Sequence, residues 1–350
     1  MNIYVDNAVC EWHVHQLQLP GTNLHKNLDS YLEQEQGYAC YHVAFPVEQG
    51  WVERFHKAYN HSKHNFIFCS ELHERTVRQL IALDLPNTTI FICGHIEYFW
   101  QHANVYHWMD WFITTIHMYK HQLPNLLSER LIPQANKHKR FDVLLGAKRE
   151  HRDFVYNYIN SHTIKEQVVM TYFNRIDQAL NNNHQFILEQ DGLELIPMRK
   201  LTHTIDQVKY YGIEKSLSQI VPITIYNQTY YSIVAETNFA NHYNFYTEKI
   251  VKPIMAGRMF IVIAGHHYLK NLRALGFKTF GNIIDERYDE EIDQTTRWVL
   301  ALEQAELLAN KNPVEVYKLI QPIVDYNREL MMQHDWYHDV SDNFKNIITR

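Results

Sequence analysis

Short apolar runs separated by longer amphipathic stretches constrain this chain more than any other feature. "NIYV" (2–5), "ACYHVAF" (39–45), "NFIFCSE" (65–71) and "TTIFICG" (88–94) are rich in Ile, Val, Phe and Cys and read as strands. Between the last two lies "HERTVRQLIALDL" (73–85), whose apolar residues recur at helical spacing. Strands alternating with helices predict βαβ units and a mainly parallel sheet. "WQHANVYHWMDWFITTIHMYKHQL" (100–123) reads as one long amphipathic helix closing this half.

A turn-rich, then basic connection follows, "LPNLLSERLIPQANKHKR" (123–140), and the pattern restarts. "FDVLLGA" (141–147) is a strand, "HRDFVYNYINS" (151–161) a helix, "EQVVMTYF" (166–173) a strand and "QFILEQ" (185–190) a further candidate. The stretch 191–220 has no clear assignment. "YYSIVAETN" (230–238) is a strand, "TEKIVKPIMAG" (247–257) a helix, "MFIVIAG" (259–265) a buried strand and "HHYLKNLRALG" (266–276) a Gly-ended helix. From about 289 the pattern is almost entirely helical.

The expected fold is therefore α/β, with two Rossmann-like domains facing a cleft and a helical C-terminus. The expected division is 1–135, 136–311 and a helical 312–350 that packs back on the first domain. A length of 350 residues suits two domains. Hydrophobic residues at 46% and charged residues at 21% describe a globular chain with enough material for a core. A formal charge of −6 gives no sign of a surface coated for nucleic acid, although one local basic groove is compatible with it.

The four cysteines, Cys10, Cys40, Cys69 and Cys93, form no CxxC pair and read as reduced. The N-terminus lacks the pattern of a signal peptide, and no run approaches a membrane span. A cytoplasmic protein is expected. The 23 histidines invite a metal reading, but the tight pair His13 and His15, taken as one face of a strand, has no Cys or acid at ligand spacing. No metal is expected.

Parallel sheets bind ligands at the carboxyl ends of their strands. There the strand 230–238 delivers Glu236, and a helix begins around Thr247. Its first turn offers free N–H groups and the positive end of the helix dipole to an anion. Lys249 adds a full charge, and Glu248 is a two-oxygen acceptor for sugar hydroxyls. A diphosphate flanked by a ribose would be satisfied there; the competing reading is a solvated acid–base pair favoured by the dipole. Pro253 within the helical pattern removes one hydrogen bond and either bends the helix or marks its true start. A second basic cluster, Lys148, Arg149, His151 and Arg152, follows Gly146 at another strand end, as a phosphate clamp or as an exposed basic turn.

"ETNFANHYNFYTEKIVKPIMAGRMFIVIAG" resembles the donor-binding segment of nucleotide-sugar glycosyltransferases of the two-Rossmann (GT-B) type. The nearest likenesses are the alpha-1,3-fucosyltransferase family and glycosyltransferase-like proteins of tailed bacteriophages. "FDVLLGAKREHRDFVYNYI" is similar to the strand, basic loop and helix that open the donor domain there. The likeness covers roughly 140–290 and does not extend to residues 1–135. It implies that Arg152, with Lys148 or Arg149, contacts the donor phosphates, that Glu248 holds ribose or sugar hydroxyls, Lys249 the diphosphate and Glu236 the transferred sugar. The donor would be a UDP- or GDP-sugar bound as substrate, with no permanently bound cofactor. There is no DxD motif, so Lys, Arg and the helix start would neutralise the leaving group without a metal. "YTEK" followed by "IVKP" is closer to the phage proteins, which leaves donor sugar and nucleotide open.

An inverting transfer needs a general base near the acceptor hydroxyl. Strand-end candidates are Asp6 and Glu11 with His13, Glu71, and His95 with Glu97. Glu11 is the first choice and Glu97 the second; the competing reading of each is a surface polar residue. Trp100, Trp108 and Trp111 form either an acceptor wall or core. The phage likeness implies double-stranded DNA carrying 5-hydroxymethylcytosine as acceptor, in the cytoplasm of an infected bacterium, with 137–152 serving both donor and DNA backbone. A glycan is the competing acceptor. A non-catalytic nucleotide- or glycan-binding module of the same fold is the rival from another class, and an epimerase is disfavoured because no GxGxxG follows any strand.

Overall fold

The computed structural model describes residues 1–44, 50–70, 74–96, 104–132, 137–172, 193–195, 207–240 and 243–349, without side chains at 44, 74–76, 96, 193–195 and 339. The protein is α/β with parallel sheets and a helical C-terminus. It divides into two compact units, Met1–Asp110 with Asp335–Arg350, and Trp111–His334.

In the first unit, strands β1 (Asn2–Val5), β2 (Asn23–His25), β3 (Tyr38–Ala44), β4 (His64–Ser70), β5 (Thr88–Cys93) and β6 (Val105–Trp108) form one sheet ordered β2-β1-β3-β4-β5-β6. Every pairing in it is parallel. β5 is buried along its whole length and β4 at all but its first residue, which is why both read as continuous apolar runs. The chain leaves β1 for β2 on one side and returns to β3 on the other, so the winding reverses between β1 and β3.

Two expectations for the first 123 residues fail for a physical reason. His13 and His15 lie on a helix, Ala8–Gln16, not on a strand; Asn7 caps it by accepting from Val9 N (3.0 Å) and Cys10 N (3.1 Å). Cys10, His13 and Val14 form its buried stripe, so a histidine at a core position hides the helical period. The long helix expected over 100–123 is instead β6, the helix Asp110–His117 and a wide π-type turn, Met118–Gln122. Val105–Trp108 pairs with Ile90–Cys93, which settles it as strand. Trp108 is core, 2% exposed, its Nε1 donating to Cys69 O at 3.2 Å; Trp100 lies outside the described residues.

Of the C-terminal helices only His338–Ile348 belongs to this unit. Its Phe344 stacks on Phe66 with centroids 3.8 Å apart, and Tyr38 Oη donates to Ile348 O at 3.1 Å. The preceding helix, Pro313–Gln333, belongs to the second unit. The compact units divide at 110/111 and 334/335.

The second unit is built on β7 (Lys139–Leu145), β8 (Val168–Tyr172), β12 (Thr229–Ala235) and β13 (Phe260–Ile263), all parallel, ordered β8-β7-β12-β13. Winding reverses between β7 and β12. Strands β9 (Leu193–Leu195), β10 (Gln207–Tyr210) and β11 (Ile213–Ser216) form a separate antiparallel sheet within the stretch the sequence leaves unassigned. Tyr211 (φ 47°) and Gly212 (φ 82°) make its last turn, both left-handed as a tight hairpin requires. The candidate strand 185–190 lies outside the described residues.

The buried pair Asp142–Arg258 (2.6 Å) ties β7 to the segment that enters β13. Arg258 also donates to the carbonyls of Tyr226, Thr229 and Tyr231 and to the Thr229 and Ser232 hydroxyls, so all of its charge is spent on the scaffold. The principal helices of this unit are Glu150–Ser161, Glu248–Met255, Tyr268–Ala274, Gln294–Ala309 and Pro313–Gln333. Among the described residues no helix is long and apolar enough to cross a membrane.

Candidate functional site

At the reversal point of the second unit, the carboxyl end of β12 continues into Glu236, which is fully buried. Its Oε1 accepts from Thr247 N (3.2 Å) and Tyr268 Oη (2.9 Å), and its Oε2 from Thr237 N (2.9 Å) and Thr247 Oγ1 (2.8 Å). Those four donors fill the acceptor positions of a carboxylate. Thr247 is in turn the N-cap of the helix Glu248–Met255, accepting from Lys249 N at 3.3 Å. The positive helix start predicted to take a ligand's anion therefore already faces one, the protein's own carboxylate. Burial pushes the Glu236 carboxyl up, with Glu248 adding to the rise and Lys249 and the Thr237 and Thr247 donors opposing it. Glu236 ties strand end to helix start; it is not placed to touch a sugar.

The cations arrive around the next residue, Thr237. Lys249 Nζ donates to Thr237 Oγ1 (3.0 Å) and Glu248 Oε1 (2.5 Å), and Arg149 Nη1 donates to Thr237 O (2.5 Å). Arg152 lies inside, 3% exposed, donating to Ala147 O (2.8 Å) and Glu236 O (3.3 Å). His151 Nε2 donates to Glu236 O at 2.7 Å, which fixes the proton on that nitrogen. Burial first, then the Arg152 charge, holds His151 well below the usual imidazole range, so it is neutral. Lys148 stands apart, 47% exposed and 3.7 Å from Asp153.

Glu248 is buried against Lys249, its side chain 3% exposed and that of Lys249 18%. Burial pushes the Glu248 carboxyl up, but Lys249 and Lys252 outweigh it and leave the group below its ordinary value. Lys252 Nζ donates to Ser218 O (2.7 Å), and burial lowers its pKa to about 8. Pro253 sits inside this helix, which begins five residues earlier, so the proline does not mark its start. Gly265, after β13, lies against the β12 loop: a Cβ there would meet Ala240 O at 2.5 Å and Asn244 Oδ1 at 2.8 Å.

The structure thus brings Arg149, Arg152, Glu236, Thr247, Glu248 and Lys249 to one strand edge and leaves Lys148 outside the cluster. Arg149 and Lys249 are its half-buried cations, suited to an oxyanion approaching from solvent. Thr237 and Tyr268 were not singled out from sequence. Thr237 is legible as the residue after a strand-end acid, whereas Tyr268 comes from a helix 32 positions later.

On the first unit, Glu11 lies one turn into the helix Ala8–Gln16, paired with Lys26 (2.7 Å) and His15 (3.5 Å). The Lys26 hydrogen bond holds its carboxyl below the usual range, which weakens it as a base. Glu97 and Glu71, like Asn241 and His242, lie outside the described residues. Asp6 occupies the reversal point after β1. Its Oδ1 accepts from Arg54 Nε (2.9 Å) and Tyr4 Oη (3.2 Å), while its buried Oδ2 has no partner.

Asn7 Oδ1 is committed to the helix cap, so its Nδ2 faces His42 Nδ1 at 3.5 Å. At that long contact His42 Nδ1 is the acceptor, so Nε2 carries the proton, and this buried N–H is likewise without a partner. Burial lowers the His42 pKa to about 4 although Asp6 raises it. An oxygen acceptor and an N–H donor are thus left buried without partners at this strand edge.

Among the described residues no group of three or more His, Cys, Asp or Glu side chains is placed to hold a metal ion. No protein-family profile, curated protein or solved structure matches the chain.

Proposed function

We propose that the chain is a glycosyltransferase of the GT-B type, its two units being the two Rossmann-like halves. It moves a sugar from a nucleotide-diphosphate donor to an acceptor hydroxyl. The observation that carries the reading is the convergence of Arg149 and Lys249 on Thr237 at the reversal point of a doubly wound sheet. The likeness of 140–290 to nucleotide-sugar transferases points the same way. Lys249 and Arg149 bind the diphosphate and take up leaving-group charge, and Glu248 orients Lys249. Arg152, Glu236 and Thr247 position these groups from behind.

We favour Asp6 over Glu11 as the general base because its buried Oδ2 is a carboxylate oxygen without a hydrogen-bond partner at the reversal point of the first unit's sheet. Hydroxymethylated DNA is the acceptor we favour and a glycan the alternative, with the reaction taking place in the cytoplasm. Thermal-shift titration with UDP-, GDP- and CMP-sugars tests the donor site. Stabilisation by one of them that disappears in Lys249→Ala is expected; no shift with any donor refutes the reading. Mass analysis of hydroxymethylated duplex DNA after incubation with the stabilising donor then decides the acceptor.

A further inference from the structure

Basic residues crowd the amino-terminal end of β7 in a chain whose formal charge is −6. Arg130, His138, Lys139 and Arg140 lie close together in sequence, and Lys165 stands on the segment that leads into β8. The Asn227 amide draws the first of them to the rest: its Nδ2 donates to Arg130 O (2.9 Å), and its Oδ1 accepts from Ile132 N (2.8 Å). Lys137 turns inward and anchors the segment, its N donating to Tyr230 Oη (3.2 Å) and its Nζ to Tyr226 O (2.7 Å). Arg130, His138 and Lys165 are exposed, Lys139 and Arg140 half-buried, and all belong to the second unit. Surface cations are commonly held by acids, but these are held by neutral groups. The Arg130 guanidinium lies 6.0 Å from the Tyr211 ring centre and that of Arg140 5.6 Å from the Tyr230 ring centre, while Lys139 Nζ donates to Glu166 O at 2.6 Å. Among the described residues none of Arg130, Lys139, Arg140 and Lys165 forms an ion pair, although Glu129 and Glu166 are next to them in sequence. A ring or a carbonyl fixes such a side chain without cancelling its charge, and a guanidinium over a ring can still offer its N–H fork to phosphate oxygens.

We propose that this edge is a docking surface for the phosphate backbone of duplex DNA, with Arg130, Lys139 and Arg140 each meeting a phosphate. The occupant follows from charge complementarity. Fixed, uncompensated cations clustered on an otherwise acidic protein match a polymer that carries one negative charge per about 1.7 Å of its axis. Contacts of this kind hold and orient a duplex and carry no sequence information. β7 rises about 20 Å from Lys139 to Leu145, so the surface stands well away from Arg149 and Lys249. The basic residues of 137–140 and of 148–152 therefore face opposite ends of the sheet and cannot share one groove. The surface holds DNA independently of the transferase reading; with a hydroxymethylated duplex as acceptor, it grips the polymer at a distance from the donor.

Fluorescence anisotropy of a short labelled DNA duplex titrated with the full chain at several salt concentrations tests this. Three phosphate contacts give a slope of about −2.7 in log K against log salt, so affinity is expected to fall about 40-fold between about 50 and 200 mM salt. A duplex of scrambled sequence binds equally. Lys139→Gln and Arg140→Gln each make the slope shallower by about one, and Arg140→Lys, which keeps the charge, leaves it unchanged. Thermal melting of each variant checks that it is folded. Absence of duplex binding at low salt overturns the proposal. So does an unchanged slope in a folded protein carrying Arg130→Gln, Lys139→Gln and Arg140→Gln together, or tighter binding to anionic lipid vesicles than to the duplex. Lys249→Ala is expected to abolish donor stabilisation and leave duplex binding as it was, so failure of the donor site and failure of this surface are read separately.

Discussion

Replacing Glu236 by Gln conserves its shape and separates a scaffold role from a sugar-contacting one. The carboxylate accepts two backbone N–H groups, Thr237 N on Oε2 and Thr247 N on Oε1, and two hydroxyls, those of Thr247 and Tyr268. An amide has one oxygen and one NH2 group, and the hydroxyls can reverse their role to suit either. The backbone N–H groups cannot. If the amide oxygen takes the Oε1 position, its NH2 opposes Thr237 N; if the amide is flipped, NH2 opposes Thr247 N. Either way one buried backbone donor loses its acceptor, at about 1–3 kcal/mol.

The surviving bonds also become neutral, and relief of the buried charge partly offsets that loss. The net expectation is a loss of about 2–3 kcal/mol, or roughly 5–10 °C in the melting temperature of a unit of this size. Urea denaturation monitored by tryptophan fluorescence, together with calorimetry, measures it. If Glu236→Gln leaves stability within about 0.5 kcal/mol of wild type while abolishing donor binding, then the carboxylate faces ligand and the scaffold assignment is wrong.

Three further outcomes follow from the geometry. Asp6→Asn is expected to lower the transfer rate about 100-fold or more with donor affinity unchanged, and Glu11→Gln to leave it within about twofold, in single-turnover assays; the reverse pattern would restore Glu11 as base. His13 and His42 are held neutral by burial, their folded pKa values below the unfolded one, so their contribution is present at neutral pH. It is lost as pH falls below about 6.5, toward about 4 for His42, at up to about 1.4 kcal/mol per pH unit for each group. Denaturant midpoints from pH 7 to pH 4 should show this slope, reduced by one proton's worth in His42→Gln. Gly265→Ala forces its Cβ against a backbone oxygen, and a loss of about 1–3 kcal/mol is expected in thermal unfolding.

The parts of the fold legible in the sequence are those with a local cause. β4, β5, β12 and β13 are buried strands and read as apolar runs; the helix Glu248–Met255 opens on a capping threonine. What stayed hidden depends on partners far away in sequence. Trp108 is a strand residue because Cys93 lies opposite it, while the tryptophan spacing alone imitates a helix. His13 occupies a core position on its helix, where it contacts the Tyr337 hydroxyl at 2.6 Å from the last segment of the chain.

The same distinction applies to the candidate site and changes how a ligand would approach it. Sequence places an acid at a strand end and a helix start eleven positions later, and it assigns both to a ligand. It does not reveal that the acid turns back onto that helix start. Because Glu236 already occupies the helix's positive end, a diphosphate gains little from the dipole there and would meet like charge. Its binding energy must come from side chains that reach past the plug. Arg149 and Lys249 do so around Thr237, each with a hydrogen bond to one atom of that residue and a half-buried position. Phosphate affinity should therefore depend on these two side chains and hardly at all on the capping hydroxyl of Thr247.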